Sequence, residues 1–173
     1  MSEKTNTARV GAPAPDFTLQ DGEGAHWRLS DKRGQTVVLL FYPGDETPIC
    51  TKQLCSVRDR WEDYTATGAE VVGISTNTVE SHQAFAEHHN LPLRLLSDKD
   101  GEVRRAYSAL SLIPNKTARS VFVIDPAGII RYRKVQPLGL FRPKDDEIIA
   151  AINNARGKGG EGKAKGSEND GST

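Results

Sequence analysis

The sequence predicts an α/β fold built on a mixed central sheet, and three features carry that expectation. Val37 to Tyr42 is an unbroken apolar run rich in β-branched residues, which suits a strand buried on both faces. Around it, strand-like and helix-like stretches alternate, the pattern of parallel strands joined by crossover helices. The alternation then gives way to two strand-like stretches separated only by a turn, followed by a closing helix.

In chain order, Phe17 to Leu19 and His26 to Leu29 flank a polar Asp21-Gly22-Glu23-Gly24 stretch and read as a short hairpin. After the Val37–Tyr42 strand a helix is expected from about Pro48 to Thr67, then a strand over Glu70 to Ser75. Asn77 followed by Glu80 forms a capping-box pattern for a helix running to about Asn90. Leu93 to Leu96 suits a short strand and Gly101 to Tyr107 a short helix. Val121 to Ile124 and Ile129 to Val135, joined by Asp125-Pro126-Ala127-Gly128, read as an antiparallel hairpin. Pro143 opens the last helix, whose first turn carries the acidic residues that a helix dipole favours there.

A chain of 173 residues suits one domain with a sizeable core. Its ends differ from the middle. Residues 157–173 contain one Ala and no larger hydrophobe, so a disordered polar tail is expected there, with a shorter flexible stretch over residues 1–9. The folded unit is expected over residues 10–156. Lys plus Arg and Asp plus Glu both number 23, so no net field draws the chain to nucleic acid or an anionic membrane. The polar N-terminus lacks the apolar core of a secretory signal, and no apolar run is long enough to span a bilayer. A cytoplasmic location is the expectation. In a reducing compartment the two cysteines are then core residues, metal ligands or redox groups rather than a permanent disulfide.

The stretch from Phe41 to Cys55 carries the chemistry. The buried strand ends at Tyr42, Pro43-Gly44 breaks it, and Thr47 stands before Pro48 as an N-cap before a helix-opening proline. Cys50 therefore falls in the first helical turn. Backbone N–H groups there lack helical partners, and a thiol so placed is favoured as the thiolate, its nucleophilic form. Leu54, Val57, Trp61 and Tyr64 recur at helical spacing as the core-facing stripe, and Cys50 lies on it. By itself a cysteine on such a stripe is more often a small core hydrophobe. Cys55 lies about 140° further round, in company with Arg58, Asp59 and Glu62. In an intact helix the two Cα atoms stand about 8 Å apart. That is beyond the roughly 4.4–6.8 Å a disulfide spans, so any bond between them requires the helix to unwind.

These residues carry a family resemblance. Pro43-x-x-x-Thr47-x-x-Cys50 resembles the active-site signature of peroxiredoxins. Cys50 and Cys55 in one helix, followed by Ser56-Val57-Arg58-Asp59, resemble the bacterioferritin comigratory protein and peroxiredoxin Q branch of the AhpC/TSA superfamily. The similarity extends over residues 10 to about 155, taking in Gly11 to Phe17, Leu96-Ser97-Asp98 and Arg119 to Asp125. It implies a thioredoxin-like fold, with helices flanking the mixed sheet and an N-terminal β-hairpin extension. It implies a thiol peroxidase without a cofactor, acting on hydrogen peroxide and organic hydroperoxides. Cys50 would be the peroxidatic cysteine, oxidised to a sulfenic acid, and Cys55 the resolving cysteine that condenses with it into a disulfide. Thr47 would hydrogen-bond the reacting sulfur and peroxide, and Pro43 would shield the pocket from water. Arg119 would stabilise the thiolate and the polarised O–O bond. Thioredoxin or a similar dithiol would recycle the disulfide, and the branch implies a monomer. Ile49 stands where Gly is common, Gln53 where Glu is common and Val121 where Thr is common.

Other chemistries fit less well. A thioredoxin-like oxidoreductase uses Cys-x-x-Cys, whereas the spacing here is Cys-x4-Cys. A zinc site needs about four ligands, and His26, His82, His88 and His89 are not at ligand spacing from the cysteines. A peroxide sensor, whose disulfide state a partner reads, remains as an alternative of a different class.

Overall fold

A computed structural model of the chain describes residues 8–45, 47–111, 116–136 and 144–159. Seven strands form one sheet: β1 (Thr18–Asp21), β2 (His26–Arg28), β3 (Val37–Phe41), β4 (Glu70–Ser75), β5 (Arg94–Ser97), β6 (Arg119–Ile124) and β7 (Ile130–Gln136). Their spatial order is β2-β1-β5-β4-β3-β6-β7. β3, β4 and β5 run parallel to one another, and the remaining pairings are antiparallel. The sheet is mixed, as the alternation of patterns predicts. The N-terminal hairpin extends it by pairing Gln20 with Ser97 and Asp21 with Leu96 at the outer edge of β5.

All five residues of β3 are buried, and their period-two alternation builds two cores. Val38 and Leu40 point to a cluster with Leu54, Val57, Tyr64, Phe85, Ile148 and Ile152, contributed by α1 (Pro48–Asp59), α2 (Trp61–Ala66), α3 (Val79–His89) and α5 (Asp145–Gly159). Val37, Leu39 and Phe41 point to the opposite face, against Trp27, Leu29, Phe122, Tyr107 and Val103, the last from α4 (Glu102–Ala106). No described helix is long and apolar enough to cross a membrane.

Two local expectations are corrected. The single helix expected over 48–67 is interrupted at Arg60, whose backbone is non-helical at φ −105° and ψ 20°. Neither Gly nor Pro marks the break. At the break, Arg60 reaches Asp63 on α2 and Asp146 on α5, at 2.7 and 2.8 Å. The N-cap of α3 is Thr78, whose hydroxyl accepts the Ser81 amide at 3.1 Å, and not Asn77. The Asn77 side chain is committed elsewhere, accepting the Asp45 amide and the Ser75 hydroxyl, both at 2.9 Å. Ala8, the first described residue, is buried in the second cluster, and α5 reaches Gly159. Pro143 and most of the expected N-terminal and C-terminal polar stretches lie outside the described residues.

Candidate active site

The site forms where the central strand hands the chain to α1. β3 ends at Phe41, and the Tyr42 amide still bonds the Ile74 carbonyl of β4 at 3.0 Å. Pro43 and Gly44 then turn the chain, both half-buried. Thr47 is the N-cap residue and Pro48 the first residue of α1, as the sequence predicts. The capping chemistry differs from expectation, because the Thr47 hydroxyl makes no side-chain cap bond and donates to the Gly44 carbonyl at 3.1 Å. The first rung of the helical ladder is Thr51 N–H to Thr47 carbonyl, 2.8 Å, so the amides of Ile49 and Cys50 lie ahead of it.

Cys50 is fully buried and belongs to the α1 side of the core, on the same stripe as Leu54 and Val57. Arg119 reaches it from the start of β6. The antiparallel register pairs Phe41 with Ser120, so the next position, Arg119, lies beside Tyr42 just past the end of β3. From there its Nη1 donates to Cys50 Sγ at 3.1 Å and to Gln53 Oε1 at 3.0 Å. Arg119 and Gln53 are only 3% and 2% exposed. The amide oxygen thus supplies an acceptor for the guanidinium where a carboxylate is common. Gln53 Nε2 is buried without a hydrogen-bond partner. A buried cation bonded to the sulfur is the arrangement that stabilises negative charge developing there and on an attacking partner.

Cys55 is a free thiol on the same helix, half-buried. The helical count places it with Arg58, Asp59 and Glu62, away from the core, whereas the structure packs it against the margin of the α1 cluster. An isolated helix takes no account of its neighbours, among them α5, whose Asp145 carboxylate accepts the hydroxyl of the adjacent Ser56. Both cysteines lie within the continuous helix Pro48–Asp59, so no disulfide joins them in this conformation.

One part of the site was not singled out by sequence reasoning. Asp45, in the turn before Cys50, has a side chain only 2% exposed, paired with a His82 side chain that is 0% exposed. Tyr42 and Ser81 donate to the same carboxylate at 2.6 and 2.7 Å. Burial pushes the Asp45 carboxyl upward, but the His82 hydrogen bond and charge, with the Tyr42 and Ser81 hydroxyls, outweigh it and hold the group below its ordinary value. Burial, then the Asp45 charge, drives the Tyr42 phenol well above its usual value. The available signal is helical: His82 stands three residues before the buried Phe85, on the inward face of α3.

Comparison with known proteins agrees with this geometry. Residues 10–133 match the AhpC/TSA family. The chain is 46% identical over 123 residues to a chloroplastic peroxiredoxin Q of Triticum aestivum, covering 70% of this chain and 57% of the relative. It therefore spans little more than half the length of that relative. A putative peroxiredoxin bcp of Coxiella burnetii is 42% identical over 128 residues, covering 70% of this chain and 84% of that one. The crystal structure of peroxidoxin BcpB from Mycobacterium tuberculosis superposes with a TM-score of 0.74 at 30% identity, covering 86% of this chain and 99% of the other. The thioredoxin-like α/β fold expected from the resemblance is the fold found, and the chain belongs to the AhpC/TSA family of peroxiredoxins, in its peroxiredoxin Q and bcp branch.

Proposed function

We propose that the chain is a thiol peroxidase that reduces hydrogen peroxide and organic hydroperoxides and is recycled by thioredoxin or a similar dithiol. The observation that carries this reading is the buried Arg119 Nη1 at 3.1 Å from Cys50 Sγ, in the first turn of α1. The Cys50 thiolate attacks one oxygen of the peroxide, the O–O bond breaks, and the other oxygen leaves as water or an alcohol after taking a proton. Arg119 stabilises the charge on sulfur and on the departing oxygen. Thr47 lies at the mouth of the turn, where its hydroxyl, exchanging the Gly44 carbonyl for the substrate, orients the peroxide. Pro43 covers the turn against water. The sulfur is fully buried in this conformation.

Oxidation leaves a sulfenic acid on Cys50. Condensation with the Cys55 thiol forms a disulfide and releases water, and a dithiol then reduces it by exchange. The shared helix means that α1 unwinds between the two cysteines before they bond. We read the enzyme as a monomer, the state that the branch resemblance implies. Steady-state assay with a thioredoxin system tests the proposal: many peroxide equivalents consumed per protein molecule are expected. Oxidation that stops at one equivalent, with thioredoxin and its reductase active, would instead favour the sensor.

A further inference from the structure

The turn that delivers Cys50 to its helix contains Asp45, and the contacts made by that one residue exceed what a surface turn needs. Its carboxylate lies 2.9 and 3.2 Å from His82 Nδ1 and accepts hydroxyls from Tyr42 and Ser81, while its backbone amide donates to Asn77 Oδ1 at 2.9 Å. These partners come from the end of β3, the loop after β4 and the first turns of α3. His82 is fixed in turn, because its Nε2 lies 2.9 Å from the Leu96 carbonyl of β5. Both ring nitrogens face oxygen atoms, of Asp45 and Leu96. A buried polar pair of this kind is a poor source of net stability, since desolvation consumes much of its attraction. Its effect here is geometric. It ties the chain five residues before Cys50 to the sheet and to α3.

We propose that His82 and Asp45 form a positioning pair for the cysteine site, holding the Pro43–Asp45 turn so that Cys50 stays against Arg119 until it is oxidised. Neither residue touches the sulfur in this arrangement. They act through the turn, which sets the start of α1 and so the direction from which Sγ meets the guanidinium. On the far side of the cysteines α1 is tied down as well, by Ser56 to Asp145 and by Arg58 Nη1 to the His89 carbonyl at 2.7 Å. The stretch left to rearrange lies between these two anchors and contains both cysteines. Loosening the first anchor then has opposite effects on the two steps. Attack on peroxide slows because the site is less well held. Disulfide formation quickens because α1 unwinds more readily.

The inference rests on the peroxidase reading, and the test separates the two. The rate of Cys50 oxidation by hydrogen peroxide and the rate of the following disulfide formation are measured by rapid-mixing fluorescence for wild type, His82→Leu and His82→Asn. Urea unfolding reports the folded fraction. In folded His82→Leu, oxidation is expected to slow by about 10-fold while disulfide formation quickens. His82→Asn, whose amide can still donate to Asp45, restores most of the first rate. Unchanged rates for both steps in folded His82→Leu, or a loss in His82→Asn equal to that in His82→Leu, would overturn the proposal. If His82→Leu does not fold, Ser81→Ala removes one donor to Asp45 with little change in volume. It must shift both rates in the same opposed directions, and no shift would overturn the proposal. If wild-type Cys50 does not react with peroxide, the peroxidase reading fails. Iodoacetamide labelling of Cys50 then reads the positioning role, and equal labelling rates in wild type and folded His82→Leu would overturn it.

Discussion

Replacing Arg119 by Met removes the guanidinium while keeping much of the apolar stem. The side chain is 3% exposed, and its Nη1 donates to Cys50 Sγ and to Gln53 Oε1. Loss of a donor aimed at developing negative charge costs about 10²–10³ in rate, or about 2.7–4 kcal/mol of transition-state stabilisation. The fold pays separately. Gln53 Oε1 loses its donor in a buried site where Nε2 already lacks a partner, which costs about 1–3 kcal/mol. A domain of this size tolerates that loss. The assay is stopped-flow tryptophan fluorescence under excess hydrogen peroxide, with Trp61 packed against the cluster that holds Cys50 as the reporter. Urea unfolding of the reduced protein corrects for the folded fraction. A second-order rate constant for folded Arg119→Met within about threefold of wild type would refute the role given to the guanidinium.

Cys50→Ser is expected to abolish peroxide consumption, whereas Cys55→Ser completes one turnover and then stalls with thioredoxin. Normal thioredoxin-dependent cycling by Cys55→Ser, followed by coupled reductant oxidation, would show that Cys55 does not resolve the sulfenic acid. Hydrogen exchange should report strong protection across Thr51 to Cys55 in the reduced protein and loss of it in the oxidised protein. Equal protection in both states contradicts the unwinding that disulfide geometry demands. The Asp45 carboxyl is held below its ordinary value in the fold, so its contribution to stability is present above the unfolded value, 3.8, and is lost as pH falls through the lower folded value. Asp45→Asn should therefore be less stable than wild type near neutrality, with the gap closing below about pH 4 in urea titrations. A gap that stays constant down to pH 2 would show that the carboxylate charge is not what stabilises the turn.

Much of the site was legible in the residues because the relevant physics is local. An apolar run, a Pro-Gly break and Thr47-Pro48 define a strand that ends and a helix that begins within a few residues, and they place Cys50 in the first turn. Period-two and helical spacing likewise located the strands and the Leu54–Val57 stripe. The misplaced cap of α3 shows where such reasoning ends. Asn77 and Thr78 are both competent caps, and the choice was made by Asp45, distant in sequence, and by the nearby Ser75, which both donate to the Asn77 side-chain oxygen.

The tertiary structure decided what surrounds the sulfur. Arg119 lies 69 residues beyond Cys50, and its approach follows from the antiparallel register of β3 with β6, which no local pattern encodes. The acceptance of Arg119 by Gln53, the half-burial of Cys55 against the core cluster, and the closure of His82 on Asp45 have the same origin. Sequence spacing determines which face of an element a residue occupies. Which other face meets it is set by packing summed over the whole sheet.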